Sequence, residues 1–450
     1  AMTLAGNKVE TMEDLGENLE KIVTGKILSL EKHPDADKLS ICQVDIGNEQ
    51  IQIVTGAQNM KQGDVVPVVL DGGKVKVAHD GSKPKEGVEI RAGKLRGVPS
   101  NGMMCSIEEL GGEKNLFPEA PESGLYIFPE GTPVGVDAAE LLGLRDILHE
   151  YEITSNRVDC FSVLGLAREA AATFKQTLQY PKIEKLGSQE DVSSYLSVEL
   201  KSPELCKRYT ARLIKNVHFA PSPLWMQIRL RTAGIRPINN FVDITNYVMM
   251  AYGQPMHCFD ADMIQGGEIV VKTLENGTKF VTLDGEEHEL SDRDLAICNA
   301  KEAMCIAGVF GGKGSGTYET TTNVVFESAY FHPTWVRKSA RRHGLNTDAS
   351  FRFERGIDPD GQIYALKAAA LLAKELAGGE IAMEIVDVEQ PSLVKTFEVN
   401  LEYAYVDGVI GKHIEPELVK SIVTSLDMKI ISETSEGLSL QIPAYRVDVQ

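Results

Sequence analysis

KIVTGKILSL, at residues 21–30, is the first of several strand-like runs that indicate the fold of the N-terminal part of the chain. It is rich in β-branched residues, and similar runs follow at 38–47, 50–56 and 64–71, with Gly, Asn and Asp between them. Such runs are typical of short, half-buried strands joined by turns. About five strands in about a hundred residues favour a small closed barrel such as the OB-fold, which often binds single-stranded nucleic acid or tRNA.

Within the second of these runs, the alternation of apolar and polar side chains shifts by one residue. Apolar side chains stand at Leu39 and Ile41, and then at Val44 and Ile46. A shift of this kind predicts a β-bulge, here near Cys42–Gln43.

The chain changes character after Pro133, where helical patterns begin to mix with strands. A helix is predicted to start at Ser222–Pro223 and to stop at Gly234, and another to run from Asp358–Pro359 to Gly378. An acidic, polar stretch around Gly187–Ser188 predicts a linker. For a chain of 450 residues, these patterns indicate an α+β protein of about two to four domains.

Composition and charge restrict the classes of function. The chain is 43% hydrophobic and 25% charged, as in ordinary globular proteins, and no apolar run approaches the ~18 residues of a membrane span. A net charge of -19 argues against a general polyanion binder. Residues 207–236, however, contain Lys and Arg without Asp or Glu, which indicates either a specific polyanion partner or simply a solvated charged face.

The seven cysteines form no CxxC pair and accompany no histidine with metal-ligand spacing. We therefore predict reduced thiols that pack as small apolar groups.

A first set of candidate functional residues lies in HPDADKL at 33–39 and KLRGVPSNGMMCS at 94–106. The turn at His33–Pro34–Asp35 would present Lys38 at a barrel rim, beside the basic pair Lys94 and Arg96. Spacing alone leaves open an ordinary barrel loop with solvated charges.

A second set lies in GIRPINNFVDITNYVMMAYGQPMHCFDAD at 234–262, which places Arg236, Thr245, Asn246 and His257 in an otherwise apolar segment. Polar groups in a half-buried segment need partners, either in the protein or in a ligand. A histidine satisfied within the core is the competing interpretation for His257.

A third set lies in VFGG at 309–312, FESAYF at 326–331 and GLNTDASFRFERG at 344–356. Gly311 would allow a backbone to approach a ligand closely. Glu327 lies between Phe326 and the apolar pair Ala329–Tyr330, and a buried carboxylate needs a ligand hydroxyl or an arginine as its partner. An ion pair with one of Arg337, Arg341 or Arg352 remains the alternative.

These motifs, in this order, resemble the beta chain of bacterial phenylalanyl-tRNA synthetases. The more specific segments are EYEITSNRVDCFSVLGLAREAA at 150–171, IRPINNFVDITNYVMMAYGQPMHCFD at 235–260 and GLNTDASFRFERGIDP at 344–359. The resemblance covers essentially the whole chain. It implies a fragment that lacks the extreme N-terminus and the C-terminal domains of the family.

The resemblance implies an α+β multidomain fold. It contains the start of an N-terminal winged-helix-like unit at 1–19, an OB-fold tRNA-binding domain at 20–131, the remainder of the helical unit at 132–190, a mixed α+β editing domain at 195–390, and a truncated second winged-helix-like unit at 395–450.

The activity implied by the resemblance is binding of tRNA(Phe) and hydrolysis of tyrosine mischarged onto it, in the cytoplasm and away from membranes. Charging with phenylalanine, and ATP binding, would need the alpha chain, with which the family forms a heterotetramer of two alpha and two beta chains. A tRNA-docking scaffold without catalysis is the alternative, and a nucleic-acid- or peptide-binding factor unrelated to translation is a third reading.

The resemblance also implies roles for individual residues. Glu327 would read the tyrosine hydroxyl, and the other candidate catalytic residues, near the ester, are His257, Arg236, Thr245 and Asn246. The substrate-binding wall positions are Gly311, Thr347 and Ala349, and the tRNA-binding residues are Lys38, Lys94 and Arg96. Asp448 matches the first of several carboxylates that bind Mg²⁺ in the family, and a single carboxylate holds Mg²⁺ weakly. The resemblance leaves open whether His257 is a base or only orients water.

Overall fold

A computed structural model describes residues 1–183, 194–382 and 384–449, and the linker predicted around Gly187–Ser188 lies outside the described residues. The helices are α1 (Ala138–Leu141), α2 (Val163–Phe174), α3 (Leu224–Thr232), α4 (Asn240–Tyr252), α5 (Pro333–His343), α6 (Asp348–Phe353), α7 (Gly361–Ala377), α8 (Tyr403–Ile410) and α9 (Pro416–Ser425).

The strands are β1 (Lys8–Asp14), β2 (Glu20–Lys32), β3 (Ser40–Asp45), β4 (Gln50–Thr55), β5 (Val65–Val75), β6 (Val88–Ile90), β7 (Gly93–Leu95), β8 (Val98–Ser100), β9 (Gly102–Met104), β10 (Ile147–Glu152), β11 (Ser197–Leu200), β12 (Cys206–Lys215), β13 (Met256–Asp260), β14 (Glu268–Thr273), β15 (Thr278–Val281), β16 (Glu287–Leu290), β17 (Leu295–Cys298), β18 (Ala303–Ile306), β19 (Phe310–Gly311), β20 (Val324–Phe331), β21 (Glu380–Ile381), β22 (Val386–Glu389), β23 (Phe397–Glu402), β24 (Lys429–Glu433) and β25 (Gly437–Ile442). The predicted mixed α+β class is confirmed.

The chain forms two compact units. The curled-sheet unit consists of Glu10–Glu150 and Leu224–Ile238, and the two-sheet unit consists of Ala1–Val9, Tyr151–Pro223 and Asn239–Gln450. Helix α3, whose sequence lies inside the range 195–390, therefore packs within the curled-sheet unit.

The curled-sheet unit is built on one antiparallel sheet with strand order β4-β3-β2-β5-β6, in which β9 also pairs with β5. Gly25 lets β2 lie close to its neighbours, because a Cβ there would stand 2.6 Å from methyl groups of both Val44 and Val68. The amide of Asn101, just before β9, donates to the carbonyl oxygen of Gln52 on β4. The sheet thus curls back toward its own edge around an apolar core.

A β-bulge does occur beside Gln43, but its extra residue lies in β2, opposite Gln43–Val44, and not in β3 as predicted. Strand β3 pairs with β4 without a break, whereas the register between β2 and β3 shifts between Ile27 and Ser29. The apparent slip in the sequence arises because Ile41 is only half-buried, so an apolar side chain there does not mark the core face.

The two-sheet unit contains two facing sheets. Sheet A has the strand order β11-β14-β17-β18-β19, and sheet B has the order β13-β20-β12-β21, with β22 also paired to β12. An apolar core lies between them and takes alternate side chains from each, such as Ile297 and Ile269 of sheet A and Phe259 and Val325 of sheet B. Helix α7 packs against β20 and β12 but supplies no residue to this core, so it covers the other face of sheet B.

At the C-terminal end of this unit, β23, β25 and β24 form a three-stranded sheet in that order. Helices α8 and α9 pack against its outer strands. Val419 and Val423 of α9 share a small core with Leu438, Leu440 and Ile442 of β25.

Two cations of the acid-free segment 207–236 are buried in ion pairs. Arg208 is buried and pairs with Asp387 at 2.9 Å, and Arg231 is buried and pairs with Glu119 at 2.5 Å. These two cations are neutralised by acids that are distant in sequence, so they add no bare charge to a polyanion-binding surface.

All seven cysteines are free and buried, as predicted. Among the described residues, the helices include none that is both long and apolar enough to cross a membrane.

Candidate active site

His257 and Glu327 form the centre of the candidate site. Strand β13 runs antiparallel to β20 with His257 directly opposite Glu327, and Glu327 is in turn opposite Ala211 on β12. Side chains of directly opposed residues in such a pair lie on the same face, about 5 Å apart at Cβ. Phe259 and Val325, two residues along their strands, belong to the core between the sheets. The imidazole and the carboxyl group therefore share the inner face of sheet B.

Gly311 lies across from this pair in sheet A. It pairs with Cys305, which pairs with Ile297, so these three positions form one row. A Cβ built on Gly311 would stand 2.6 Å from Cε1 of His257 and 2.8 Å from a methyl group of Leu283. The backbone of Gly311 is thus packed directly against the imidazole, which requires a residue without a side chain.

The carboxyl group of Glu327 is buried without a compensating charge. The residue is 3% exposed, and burial raises its pKa to about 8, so it is mostly protonated at pH 7. The alternative of an ion pair does not hold within the described ranges, because no arginine pairs with Glu327 there; Arg352 instead donates to the carbonyl oxygens of Phe161 and Asp348. A protonated carboxyl group can both donate and accept a hydrogen bond.

The imidazole of His257 is neutral. Its Nε2 is shielded from solvent and has no hydrogen-bond partner in the part of the chain that the structure describes, and burial lowers its pKa to about 4. The ring stacks edge-on against Phe259, with centroids 4.4 Å apart. His257 is therefore not a satisfied core histidine, and its free nitrogen is available to accept a proton or to orient water.

Thr347 and Ala349 lie at the start of α6, where Thr347 is the N-cap. The Thr347 hydroxyl accepts a hydrogen bond from the amide of Ser350 and donates one to the carbonyl oxygen of Val309 at 3.1 Å. This bond ties α6 to the segment that leads into β19 and Gly311. Ala349 is half-buried in the first turn of α6.

The remaining candidate catalytic residues, Arg236, Thr245 and Asn246, precede His257 in the sequence. Thr245 and half-buried Asn246 are on α4, which packs against β13, and the Thr245 hydroxyl donates to Val242 O within that helix at 2.7 Å. Arg236 is exposed and belongs to the curled-sheet unit, following α3. The structure therefore brings together His257, Glu327 and Gly311, but shows no such grouping for Arg236.

Sequence reasoning missed the groups that surround Glu327. The negative charge of Glu327 adds to burial in raising the pKa of Cys206, Tyr209 and Cys305, which places all three near its carboxyl group. These residues come from strands separated by about a hundred residues, and a single sequence contains no signal for that pairing. The alternation in RYTARL at 208–213 is a local signal that could have placed Tyr209 and Ala211 on one face.

In the curled-sheet unit, buried His33 connects the two segments proposed to bind tRNA. Its Nδ1 accepts from the amide of Asp35, and its Nε2 lies 3.2 Å from the carbonyl oxygen of Leu95 in the β7–β8 hairpin. The exposed cations on these segments are Lys38, Lys94 and Arg96, and none of them has an ion-pair partner among the residues described. Arg96 has a φ of 48° at the tip of the hairpin.

The residues around Asp448 do not fit a Mg²⁺ site. Its carboxylate accepts two hydrogen bonds from Arg446, at 2.9 and 3.2 Å, and one from Asn156 at 3.2 Å. An arginine occupies the oxygens that a cation would need, whereas Mg²⁺ requires several oxygen ligands. The buried carboxylates of Asp159 and Glu169 lie together, but both pair with Arg157.

Comparison with known proteins gives three family matches. Residues 22–135 match a putative tRNA binding domain, residues 205–378 match a B3/4 domain, and residues 399–450 match a tRNA synthetase B5 domain.

Among curated relatives, the phenylalanine–tRNA ligase beta subunit of Bacteroides thetaiotaomicron is 49% identical over 449 residues, which cover 98% of this chain and 53% of the relative. That of Clostridium acetobutylicum is 44% identical over 456 residues, covering 100% and 55%. The chain thus spans about half the length of the curated relatives it matches.

The solved structure of an N-terminal fragment of the phenylalanyl-tRNA synthetase beta subunit from Pyrococcus horikoshii matches 67% of this chain and 83% of its own chain, with 15% identity and a TM-score of 0.34. The curated relatives and the three domain matches, in the same order as the motifs, show that this chain belongs to the phenylalanine–tRNA ligase beta subunit family.

Proposed function

We propose that this chain binds tRNA(Phe) through the curled-sheet unit and hydrolyses tyrosine esterified to that tRNA beside His257 and Glu327. The proposal rests on the pair formed by His257 and Glu327. A buried carboxyl group and a neutral imidazole lie opposite each other, and neither the Glu327 carboxyl group nor His257 Nε2 has a hydrogen-bond partner within the described residues. Buried polar groups normally have partners, so a ligand is the expected one.

Recognition of a hydroxyl group explains why tyrosine would be removed and phenylalanine retained. The phenol of tyrosine can form a hydrogen bond with the Glu327 carboxyl group, whereas phenylalanine would keep that group buried and unpaired. An unpaired buried polar group costs about 1–3 kcal/mol, and each 1.4 kcal/mol corresponds to about tenfold in affinity. A second site that tests for the hydroxyl complements a synthetic pocket that discriminates imperfectly.

The reaction is hydrolysis of an ester. The oxygen of a water molecule bonds to the ester carbonyl carbon, the bond from that carbon to the ribose oxygen breaks, and the water proton passes to the departing ribose oxygen. The imidazole of His257 is neutral at pH 7. Its Nε2 either accepts this proton transiently or orients the water for attack on the ester carbonyl carbon. Hydrogen-bond donors near the carbonyl stabilise the oxyanion, and we assign Thr245 and Asn246 of α4 to the surroundings of the ester.

The broader assignments follow from the family. We propose that phenylalanine activation, with ATP, takes place on an alpha chain, in an assembly of two alpha and two beta chains in the cytoplasm. We also propose winged-helix-like units at 1–19 with 132–190 and at 395–450, the latter supported by the packing of α8 and α9 on a three-stranded sheet. The OB-fold domain is assigned to 20–131 and the editing domain to 195–390.

The test is the deacylation rate of Tyr-tRNA(Phe) and of Phe-tRNA(Phe) by this chain, with Glu327→Ala alongside. We expect faster loss of tyrosine, and loss of that preference in the variant. A folded protein that deacylates neither substrate above the buffer rate contradicts the proposal.

A non-catalytic scaffold is the second candidate, favoured by the exposed cations Lys38, Lys94 and Arg96 on loops that His33 organises. As a scaffold, the chain would bind tRNA(Phe) but would hydrolyse neither Tyr-tRNA(Phe) nor Phe-tRNA(Phe). Measurement of tRNA binding beside deacylation separates the two candidates.

A further inference from the structure

Tyr209 places a third polar group on the inner face of sheet B, beside His257 and Glu327. It lies on β12 opposite Ala329, two residues along β20 from Glu327, so its side chain shares the face of the Glu327 carboxyl group. The residue is completely buried. Its hydroxyl has no hydrogen-bond partner anywhere in the described part of the chain.

The Tyr209 hydroxyl also interacts electrostatically with Glu327. Burial and then the negative charge of Glu327 raise the pKa of Tyr209, and an effect of this charge requires that the two groups be neighbours. The surrounding core is mostly apolar, including Phe259, Val325 and Phe331. Two adjacent polar groups in an apolar core, neither with a protein partner, are unusual, because almost all buried polar groups form hydrogen bonds.

We propose that Tyr209 is a specificity-determining residue, whose hydroxyl and the Glu327 carboxyl group together bind the phenolic hydroxyl of the substrate. This inference rests on the proposed function and extends it. A phenolic oxygen can accept a hydrogen bond from Tyr209 while its own proton is donated to Glu327. An aromatic side chain without a hydroxyl satisfies neither group, so both contribute to rejection of phenylalanine.

A structural role for this hydroxyl predicts a different outcome. A hydroxyl that stabilised the fold would have a protein partner, and its removal would destabilise the core. Tyr209 has none, so Tyr209→Phe, which keeps the ring, is expected to leave the melting temperature unchanged or slightly raised. Tyr403 provides a matched control, because its hydroxyl is also buried without a described partner but lies in the small C-terminal core.

The experiment uses two non-hydrolysable probes, 3′-deoxyadenosine carrying tyrosine or phenylalanine through a 3′-amide. Affinities for the whole chain are measured by calorimetry for the wild type, Tyr209→Phe and Tyr403→Phe. The wild type should prefer the tyrosyl probe, Tyr209→Phe should lose about tenfold of that preference with little change for the phenylalanyl probe, and Tyr403→Phe should match the wild type. An unchanged preference in Tyr209→Phe, equal weakening of both probes, or no preference in the wild type overturns the inference.

Deacylation of Tyr-tRNA(Phe), measured on the same proteins, separates this inference from the proposed function. If the wild type prefers the tyrosyl probe through Tyr209 but hydrolyses no ester, the proposed hydrolysis fails and the assignment of Tyr209 stands. If the wild type hydrolyses the tyrosyl ester and Tyr209→Phe retains full selectivity, the assignment of Tyr209 alone fails.

Discussion

Gly311 packs so closely against His257 that a single added carbon would lie 2.6 Å from the Cε1 of the imidazole. The two residues come from opposite sheets, so this contact fixes the position of the ring relative to sheet A. It also connects Gly311, a proposed substrate-binding position, to the imidazole that we propose orients water.

The Gly311→Ala variant tests this contact. The new Cβ must displace the imidazole and the methyl group of Leu283, and a shift of about 1 Å in a catalytic group commonly costs about a hundredfold in rate. We expect a loss of this size in Tyr-tRNA(Phe) deacylation, with tRNA affinity retained. Gly314→Ala is the matched control, because the nearest atom to its added Cβ is Glu302 Oε1 at 3.9 Å. Equal deacylation rates for Gly311→Ala and Gly314→Ala would show that hydrolysis does not depend on the position of the His257 ring.

The raised pKa of Glu327 predicts a dependence of stability on pH. The carboxyl group keeps its proton in the folded state up to about pH 8, while the unfolded chain loses it near the ordinary value of 4.5. The unfolded state therefore binds fewer protons between these values, and the contribution of Glu327 to stability falls as the pH rises through that window. Each pKa unit corresponds to about 1.4 kcal/mol, so the total effect is of the order of a few kcal/mol.

Glu327→Gln removes this titration and keeps the shape of the side chain. The melting temperature of the variant relative to the wild type should therefore be higher at pH 8 than at pH 5. Exposed Glu302→Gln should give the same offset at both pH values. A constant offset for Glu327→Gln as well would mean that the carboxyl group is ionised in the folded protein.

The lowered pKa of His257 predicts the pH profile of hydrolysis. An ordinary histidine would become protonated below about pH 6.5, whereas His257 stays neutral down to about pH 4. The deacylation rate should consequently show no inflection near pH 6.5. His257→Ala should lose about 10²- to 10⁴-fold if the imidazole acts as a base, and exposed His79→Ala should lose nothing. An inflection near pH 6.5 that vanishes in His257→Ala would place the imidazole in contact with solvent.

Local features of this fold could be predicted from the sequence, because they depend on neighbouring residues. The helix predicted after Ser222–Pro223 is α3, and the helix predicted to stop at Gly378 is α7, whose C-cap Gly378 has a φ of 67°. The start of α3 depends on the restricted conformation of proline, and the end of α7 depends on the conformational freedom of glycine. Both effects act within a few residues.

Long-range pairings could not be predicted in this way. Arg208 binds Asp387, which is 179 residues away, and this pairing removes a cation from a segment that had the appearance of a basic surface. The register that sets His257 opposite Glu327 is likewise a property of the folded sheet. The resemblance to a known family supplied the two residues, and the structure supplies their geometry and the neighbour that the motifs did not contain, Tyr209.

Three exposed cations of the curled-sheet unit, Lys38, Lys94 and Arg96, form its basic rim. Lys94 and Arg96 are exposed on the β7–β8 hairpin, which His33 fixes to the turn before Lys38. If these cations contact phosphates, the double variant Lys94→Glu/Arg96→Glu should weaken tRNA(Phe) binding and reduce the slope of log affinity against log salt by about one to two. Lys26→Glu/Lys61→Glu makes the same change in charge at exposed positions of the same unit, and should alter the affinity much less. Equal losses in the two double variants would mean that net charge, and not this rim, governs the encounter with tRNA.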